Sequence, residues 1–194
     1  VLDRMLRRLQ IPASAVGNSV RVAWRPDAAL ADLLGLIDGA RERLWVLVYI
    51  FEDDDSGCRV LDALTRAAER GVTVRMMVDD LGSYGNLAAG RRALEAAGGR
   101  IVRFKPVWYA IRKRMVNLRN HRKIIVADGE RAWTGGRNIG DHYLRAGTSD
   151  WLDLSAVVQG PVALALEEIC RHDWCFATGT ELPLEPVVVP PPSG

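Results

Sequence analysis

Apolar residues in this chain fall into strand-like and helix-like runs that take turns. Ser19 to Trp24 alternates polar and apolar positions, the period of a strand with one face on a core. Asp27 is placed to cap a helix running from Ala28 to about Ala40, with Leu30, Leu33, Leu34 and Ile37 on one face. Leu44 to Phe51 is a continuous apolar run of strand length, as expected for a strand covered on both faces. Asp53-Asp54-Asp55-Ser56-Gly57 reads as a solvated loop and helix start, and the helix from about Cys58 to Arg70 stops at Gly71. Val72 to Val78 is a strand, Leu87 to Ala97 a helix closed by Gly98-Gly99, and Arg100 to Phe104 a further strand. Strand, helix, strand, helix, strand implies an α/β chain: an α/β/α sandwich around a mostly parallel or mixed central sheet.

After residue 120 the rhythm changes. Lys123 to Val126 is a short β-branched run, Asp128-Gly129 a tight turn, and Arg131 to Thr134 a second strand, which together predict a hairpin. Asp150 to Val158 is the last strand, and Pro161 opens a helix through Leu164, Leu166, Ile169 and Trp174 to about Phe176. Three parts follow. Residues 1–18 are a lead-in whose Leu2, Met5, Leu6 and Leu9, with Arg4, Arg7 and Arg8 between them, suit a short amphipathic helix. Packing on its own domain is preferred to lying on an anionic membrane. Residues 19–178 form the folded domain, and 179–194 a Pro- and Val-rich linker. Both ends read as cuts in a longer polypeptide.

Composition narrows this picture only a little. The chain has 194 residues, 48% hydrophobic and 26% charged, which fits one globular domain rather than a disordered chain. No apolar run approaches the roughly 20 residues that span a bilayer. A net charge of +2 does not by itself imply nucleic acid. Cys58, Cys170 and Cys175 are few, odd in number and without ligand-like spacing, so they read as small buried hydrophobes in a reducing compartment. The three adjacent carboxylates at 53–55 have no His or spaced acidic partner, and no metal site is expected. Residues 105–123 do change the picture. There Trp108, Tyr109, Met115 and Leu118 interleave with Lys105, Arg112, Lys113, Arg114 and Arg119. A basic segment with aromatics suits lipid headgroups or a nucleic acid backbone, or is a plain solvated face.

The chemistry concentrates beside that segment. Side chains alternate along a strand, so His121 and Lys123 leave the same side, one nitrogen nucleophile beside one cation. The hairpin returns Gly135, Gly136 and Asn138 to them; the glycines admit a ligand to the backbone and Asn138 adds a neutral donor. A cation, backbone donors and an amide around an imidazole form a cage for a phosphate. In a largely parallel sheet the site lies beyond the carboxyl ends of strands, which adds Tyr49 to Glu52 and Asp79 to Ser83 as weaker candidates, Tyr49 and Ser83 among them for substrate. Loop capping explains those two segments equally well. His142 and His172 read as surface or structural residues.

The spacing His121-x-Lys123-x4-Asp128-x6-Gly135-Gly136-x-Asn138 resembles the HKD signature of the phospholipase D superfamily, with Gly-Gly where the family usually has Gly-Ser. Gly135 to Tyr143, with the Tyr-Ile-Phe and Asp-x-x-Gly-Ser stretches, is most similar to the N-terminal half of bacterial cardiolipin synthases. The bland alternative is an amphipathic hairpin that happens to carry His and Lys.

The resemblance implies a phosphodiester transferase that works without cofactor or metal. In it His121 is nucleophile or acid/base and forms a phosphohistidine, while Lys123 and Asn138 hold the non-bridging oxygens. It implies that Asp153 orients His121, and that Asp128 stabilises the fold rather than touching phosphate. It implies a phospholipid substrate and peripheral contact with the cytoplasmic side of a bacterial inner membrane. It also implies a second HKD half, in the same polypeptide or in a second identical subunit, since one motif supplies one imidazole. The alternatives are a phospholipase D-type hydrolase, a metal-independent nuclease, and a degenerate half that only binds phosphate.

Overall fold

The computed structural model describes residues 16–83, 88–104, 119–148 and 151–182, with 88 and 89 described by their backbone alone. Most of the expected lead-in helix, the aromatic and basic positions of 105–118, and the linker from 183 onward lie outside the described residues. The elements in chain order are β1 (Ser19–Ala23), α1 (Pro26–Asp38), β2 (Arg43–Val48), α2 (Asp55–Glu69), β3 (Thr73–Asp79), α3 (Ala88–Ala96), β4 (Arg100–Phe104), β5 (Ile124–Ala127), β6 (Arg131–Gly135), α4 (Asp141–Leu144), β7 (Ser155–Gln159) and α5 (Pro161–Thr178).

The strands form one seven-stranded sheet in the order β1-β7-β6-β5-β2-β3-β4. The parallel arrangement expected from the strand–helix rhythm holds for β2–β3 and β3–β4, which α2 and α3 connect. The other pairings, β2–β5, β5–β6, β6–β7 and β1–β7, are antiparallel, so the sheet is mixed. The carboxyl ends of β1, β2, β3, β4 and β6 therefore share one end of the sheet with the amino ends of β5 and β7. Ends of all seven strands meet there, including strands far apart in the sequence.

Each face has its own core. Against one face, Leu33, Leu36 and Ile37 of α1, Val60 and Leu64 of α2, and Leu94 of α3 pack on Val46, Val48, Met76 and Ile125. Trp133 belongs to this layer, and its Nε1 donates to the Ala29 carbonyl at 3.1 Å, joining β6 to α1. On the other face, Ala163, Cys170 and Trp174 of α5 cover Trp45, Leu47, Met77 and Val126. β2 is apolar without alternation because both layers need it.

Two helix starts teach different things. Asp54 caps α2, its carboxylate accepting from Gly57 N at 2.9 Å. Asp27 does not cap α1. Pro26 lacks an N–H and fits the first turn, so α1 begins two residues earlier with Arg25 at the cap. The Asp27 carboxylate pairs with Arg25 instead, at 2.8 Å.

Candidate active site

His121 and Lys123 stand on the extended lead-in to β5, two residues apart and on one side. The Lys123 Nζ lies 3.0 Å from Nδ1 and 3.3 Å from Nε2 of His121, and donates to the His121 carbonyl at 3.0 Å. Lys123 is only 4% exposed, whereas the His121 side is open to solvent. Tyr49, just beyond β2, forms a wall: its ring centroid is 4.4 Å from that of His121, with the Lys123 Nζ 5.3 Å from it. Burial, then the Lys123 charge, pushes the His121 pKa below its ordinary value, and Asp79 opposes them. Burial likewise lowers the Lys123 pKa, opposed by Asp153. The outcome is an uncharged, accessible imidazole beside a shielded cation.

Asn138 arrives by a route not visible in the hairpin alone. Beyond β6 the chain runs alongside the continuation of β2: Ile139 N donates to Ile50 O at 3.1 Å and Glu52 N to Ile139 O at 2.9 Å. Asn138 Oδ1 accepts from Ile50 N at 3.1 Å, beside Tyr49. With that oxygen committed to the backbone, the Nδ2 end has the donors to offer a ligand. Ser83 is fully buried, its hydroxyl accepting from Phe51 N at 3.0 Å and donating to Tyr49 O at 3.2 Å. Its side chain cannot touch a substrate; it holds the segment that carries Tyr49.

Gly135 and Gly136 serve the strand next door rather than a ligand. A Cβ on Gly135, whose φ is +146°, would run into the Leu154 carbonyl, and one on Gly136 into the Asp153 carboxylate. The Gly136 amide donates to Leu154 O at 3.1 Å, so it is not a free phosphate donor. The last strand begins at Ser155 rather than Asp150: residues 149–150 lie outside the described residues, and 151–154 form no regular structure. Asp153 sits in that lead-in, its Oδ1 accepting from its own Leu154 N at 2.7 Å. Among the described residues no hydrogen bond joins Asp153 to His121. Seated in the space Gly136 leaves, its charge acts on Lys123 and Arg137.

Asp128 lies at the opposite end of β5. Its carboxylate accepts from Arg41 N at 2.9 Å, Glu42 N at 2.8 Å and Arg43 N at 2.9 Å, fixing the start of β2. It does so from a φ of +56°, where Asp is tolerated better than bulkier residues. Asp128 is thus a fold-holding residue by geometry.

His142 is exposed, and the exposed His172 has Nε2 2.9 Å from Glu168 Oε1. Cys170 is buried, which pushes its thiol pKa up, while Cys58 is exposed, contrary to the buried reading. Asp79, which opens the candidate segment Asp79 to Ser83, is 1% exposed at the end of β3.

A family model described as "Cardiolipin synthase, PLD-like domain" matches residues 33–174. Cardiolipin synthase 1 of Bacillus anthracis is 36% identical over 163 residues, covering 83% of this chain and 32% of that protein. Cardiolipin synthase A of Pseudomonas fluorescens is 33% identical over 175 residues, covering 89% of this chain and 36% of its own length. The chain thus spans about a third of the length of these curated relatives. Among solved structures, Nuc of Salmonella typhimurium, a phospholipase D family member, superposes with a TM-score of 0.61 at 23% identity, over 81% of this chain and 94% of that one. Phosphatidylserine synthase of Haemophilus influenzae gives a TM-score of 0.62 at 18% identity, over 77% and 35%. With a family match over most of its length and His121, Lys123 and Asn138 gathered at one end of the sheet, the chain belongs to the PLD-like domain family of cardiolipin synthases.

Proposed function

We propose that this domain is one half of a phosphatidyltransferase of the cardiolipin synthase type, with His121 the group that carries the phosphatidyl unit. The observation that carries the reading is the pairing of an open, uncharged imidazole with the amine of Lys123, 3.0 Å from its Nδ1. A phosphodiester anion repels nucleophiles and has a poor leaving group, so covalent catalysis divides the displacement into two easier steps. In the first, a P–N bond to His121 forms as the P–O bond to the departing alcohol breaks, and that oxygen takes a proton from a second imidazole. In the second, the acceptor hydroxyl returns a proton to that second imidazole, its oxygen attacks phosphorus, and the P–N bond breaks. Lys123 and the Nδ2 end of Asn138 hold the non-bridging oxygens, whose charge grows in the five-coordinate transition state. Asp153 supports Lys123 in that task.

The second imidazole belongs to a second HKD half, in the same polypeptide or in a second copy of the chain. The threefold greater length of the relatives favours the same polypeptide. A lipid substrate is supported by Trp24, Trp151, Leu152 and Leu154, which are more than half exposed on segments adjoining the site end of the sheet. Tryptophan at such a rim suits the boundary between headgroup and acyl chain. Peripheral attachment to the cytoplasmic face of a bacterial membrane follows as the working location; no described helix is long and apolar enough to cross one.

The test uses phosphatidylglycerol labelled at phosphorus, incubated with the domain and its second half. Label should appear in cardiolipin, with an acid-labile, alkali-stable protein adduct that His121→Ala abolishes. Formation of neither cardiolipin nor phosphatidic acid would remove the lipid reading. Phosphatidic acid alone would mark a hydrolase. Metal-independent cleavage of DNA, lost in His121→Ala, would move the assignment to a nuclease.

A further inference from the structure

The geometry points to Arg137 as a positioning residue whose guanidinium locks the two tryptophans of the lipid-facing rim to the segment that presents Asn138. Arg137 precedes Asn138 by one residue and is 2% exposed. Its Nη1 donates to the Ala23 carbonyl at 3.0 Å, its Nη2 to the Trp24 carbonyl at 2.6 Å, and its Nε to the Tyr143 carbonyl at 3.0 Å. Among the described residues no carboxylate forms an ion pair with it. A guanidinium taken out of water without such a partner is costly. What offsets the cost is its fork, which reaches three carbonyls in directions that a lysine's single nitrogen cannot span.

Each of these carbonyls belongs to the support of a rim aromatic. Ala23 closes β1, and Trp24 follows it with its side chain 73% exposed. Tyr143 lies in α4, and its ring stands 5.5 Å from that of Trp151, which is 64% exposed. One guanidinium therefore joins the supports of both tryptophans. The segment that carries Arg137 has anchors of its own. Gly136 N donates to Leu154 O at 3.1 Å, and Asn138 Oδ1 accepts from Ile50 N at 3.1 Å. Loss of the fork thus frees the tryptophans before it disturbs Asn138. Tryptophans at the bilayer boundary set the depth at which a peripheral protein sits. A fixed depth in turn sets where the phosphate of a bound lipid meets Lys123 and Asn138.

This assignment rests on the phosphatidyl-transfer reading for its purpose, but binding tests it without turnover. Vesicles of phosphatidylglycerol with brominated acyl chains quench any tryptophan that enters the bilayer. With the domain and its second half, wild-type emission should be quenched, and Trp24→Phe and Trp151→Phe should each remove part of that quenching. Arg137→Lys keeps the charge and loses the fork, so both parts should be lost together. It should also lower kcat/KM for vesicle phosphatidylglycerol by about 10–10²-fold, through a displaced substrate. The loss should be far smaller for short-chain phosphatidylglycerol dissolved as monomer, which does not use the rim. Full quenching at both tryptophans in folded Arg137→Lys overturns the proposal, as does an equal loss on the two substrates. Absence of quenching in the wild type overturns it too, whatever the transfer assay shows. Should Arg137→Lys fail to fold, Arg137→Gln takes its place, and failure of both to fold assigns the residue to stability alone and overturns the proposal. Quenching that depends on Arg137 in a protein without transfer activity would leave Arg137 in place and remove only the enzymatic reading.

Discussion

Lys123 acts on His121 in two ways that one substitution separates. Burial first, and then the Lys123 charge, disfavours imidazolium, so the ring loses its proton at lower pH than a free histidine and stays nucleophilic further into acid. The acidic limb of kcat/KM should accordingly lie below the ordinary histidine value. Lys123→Met should move that limb upward, because a charge opposing protonation is gone. The same change removes a donor to the transition state and should slow transfer by about 10²–10³-fold. A pH–rate profile of the two proteins checks both effects. Gly136 offers a gentler probe: in Gly136→Ala the new methyl takes the place of the Asp153 carboxylate, whose flexible end can swing aside. Activity should drop while the chain still unfolds cooperatively, which parallel urea and transfer assays would show. His121, Lys123 and the wide role of the HKD spacing were legible in the sequence because residue types at fixed offsets encode chemistry directly. The surroundings of Asp79 and Asp153 were not, since both arrive at this end of the sheet only through the order of its strands.

At the scale of elements, the apolar runs gave six of the seven strands to within a residue or three, because burial on one face or two leaves a period in the sequence. The last strand was drawn too early. Trp151, Leu152 and Leu154 carry strand-like residues, yet they sit in an exposed approach to β7, where apolar character serves something other than the core. Of the antiparallel half of the sheet, the β5–β6 hairpin was legible from Asp128-Gly129, while nothing local in β5 or β7 states which further strand each will lie beside. Ser83 shows how loops repay inspection: Ser83→Ala leaves the buried Phe51 amide without its acceptor, at a cost of about 1–3 kcal/mol. Chemical denaturation should register that loss, and transfer should fall with it as Tyr49 shifts. On the opposite face, Trp174 meets Trp45 edge-on with ring centroids 5.9 Å apart. Trp174→Ala should lower stability by about 3–5 kcal/mol by opening the α5 layer, measured by the same method.

For the molecule as a whole, the sheet separates its work by its two ends. His121, Lys123, Tyr49, Asn138, Asp153 and Asp79 gather at one end, and Asp128 closes the other by holding three backbone amides. Asp128→Ala should cost roughly 1–3 kcal/mol, with Asp128→Asn milder because it keeps an acceptor and tolerates the left-handed backbone. In a chain of this size each kcal/mol corresponds to about 2–4 °C of melting temperature. His121→Ala should leave the melting curve where it was, because its ring is open to solvent. Thermal unfolding followed by circular dichroism separates the two. A collection of inactive mutants mapped to this one short motif would therefore be a mixture of two lesions, poisoned chemistry and failed assembly. Growth at reduced temperature should rescue the second class and leave the first inactive.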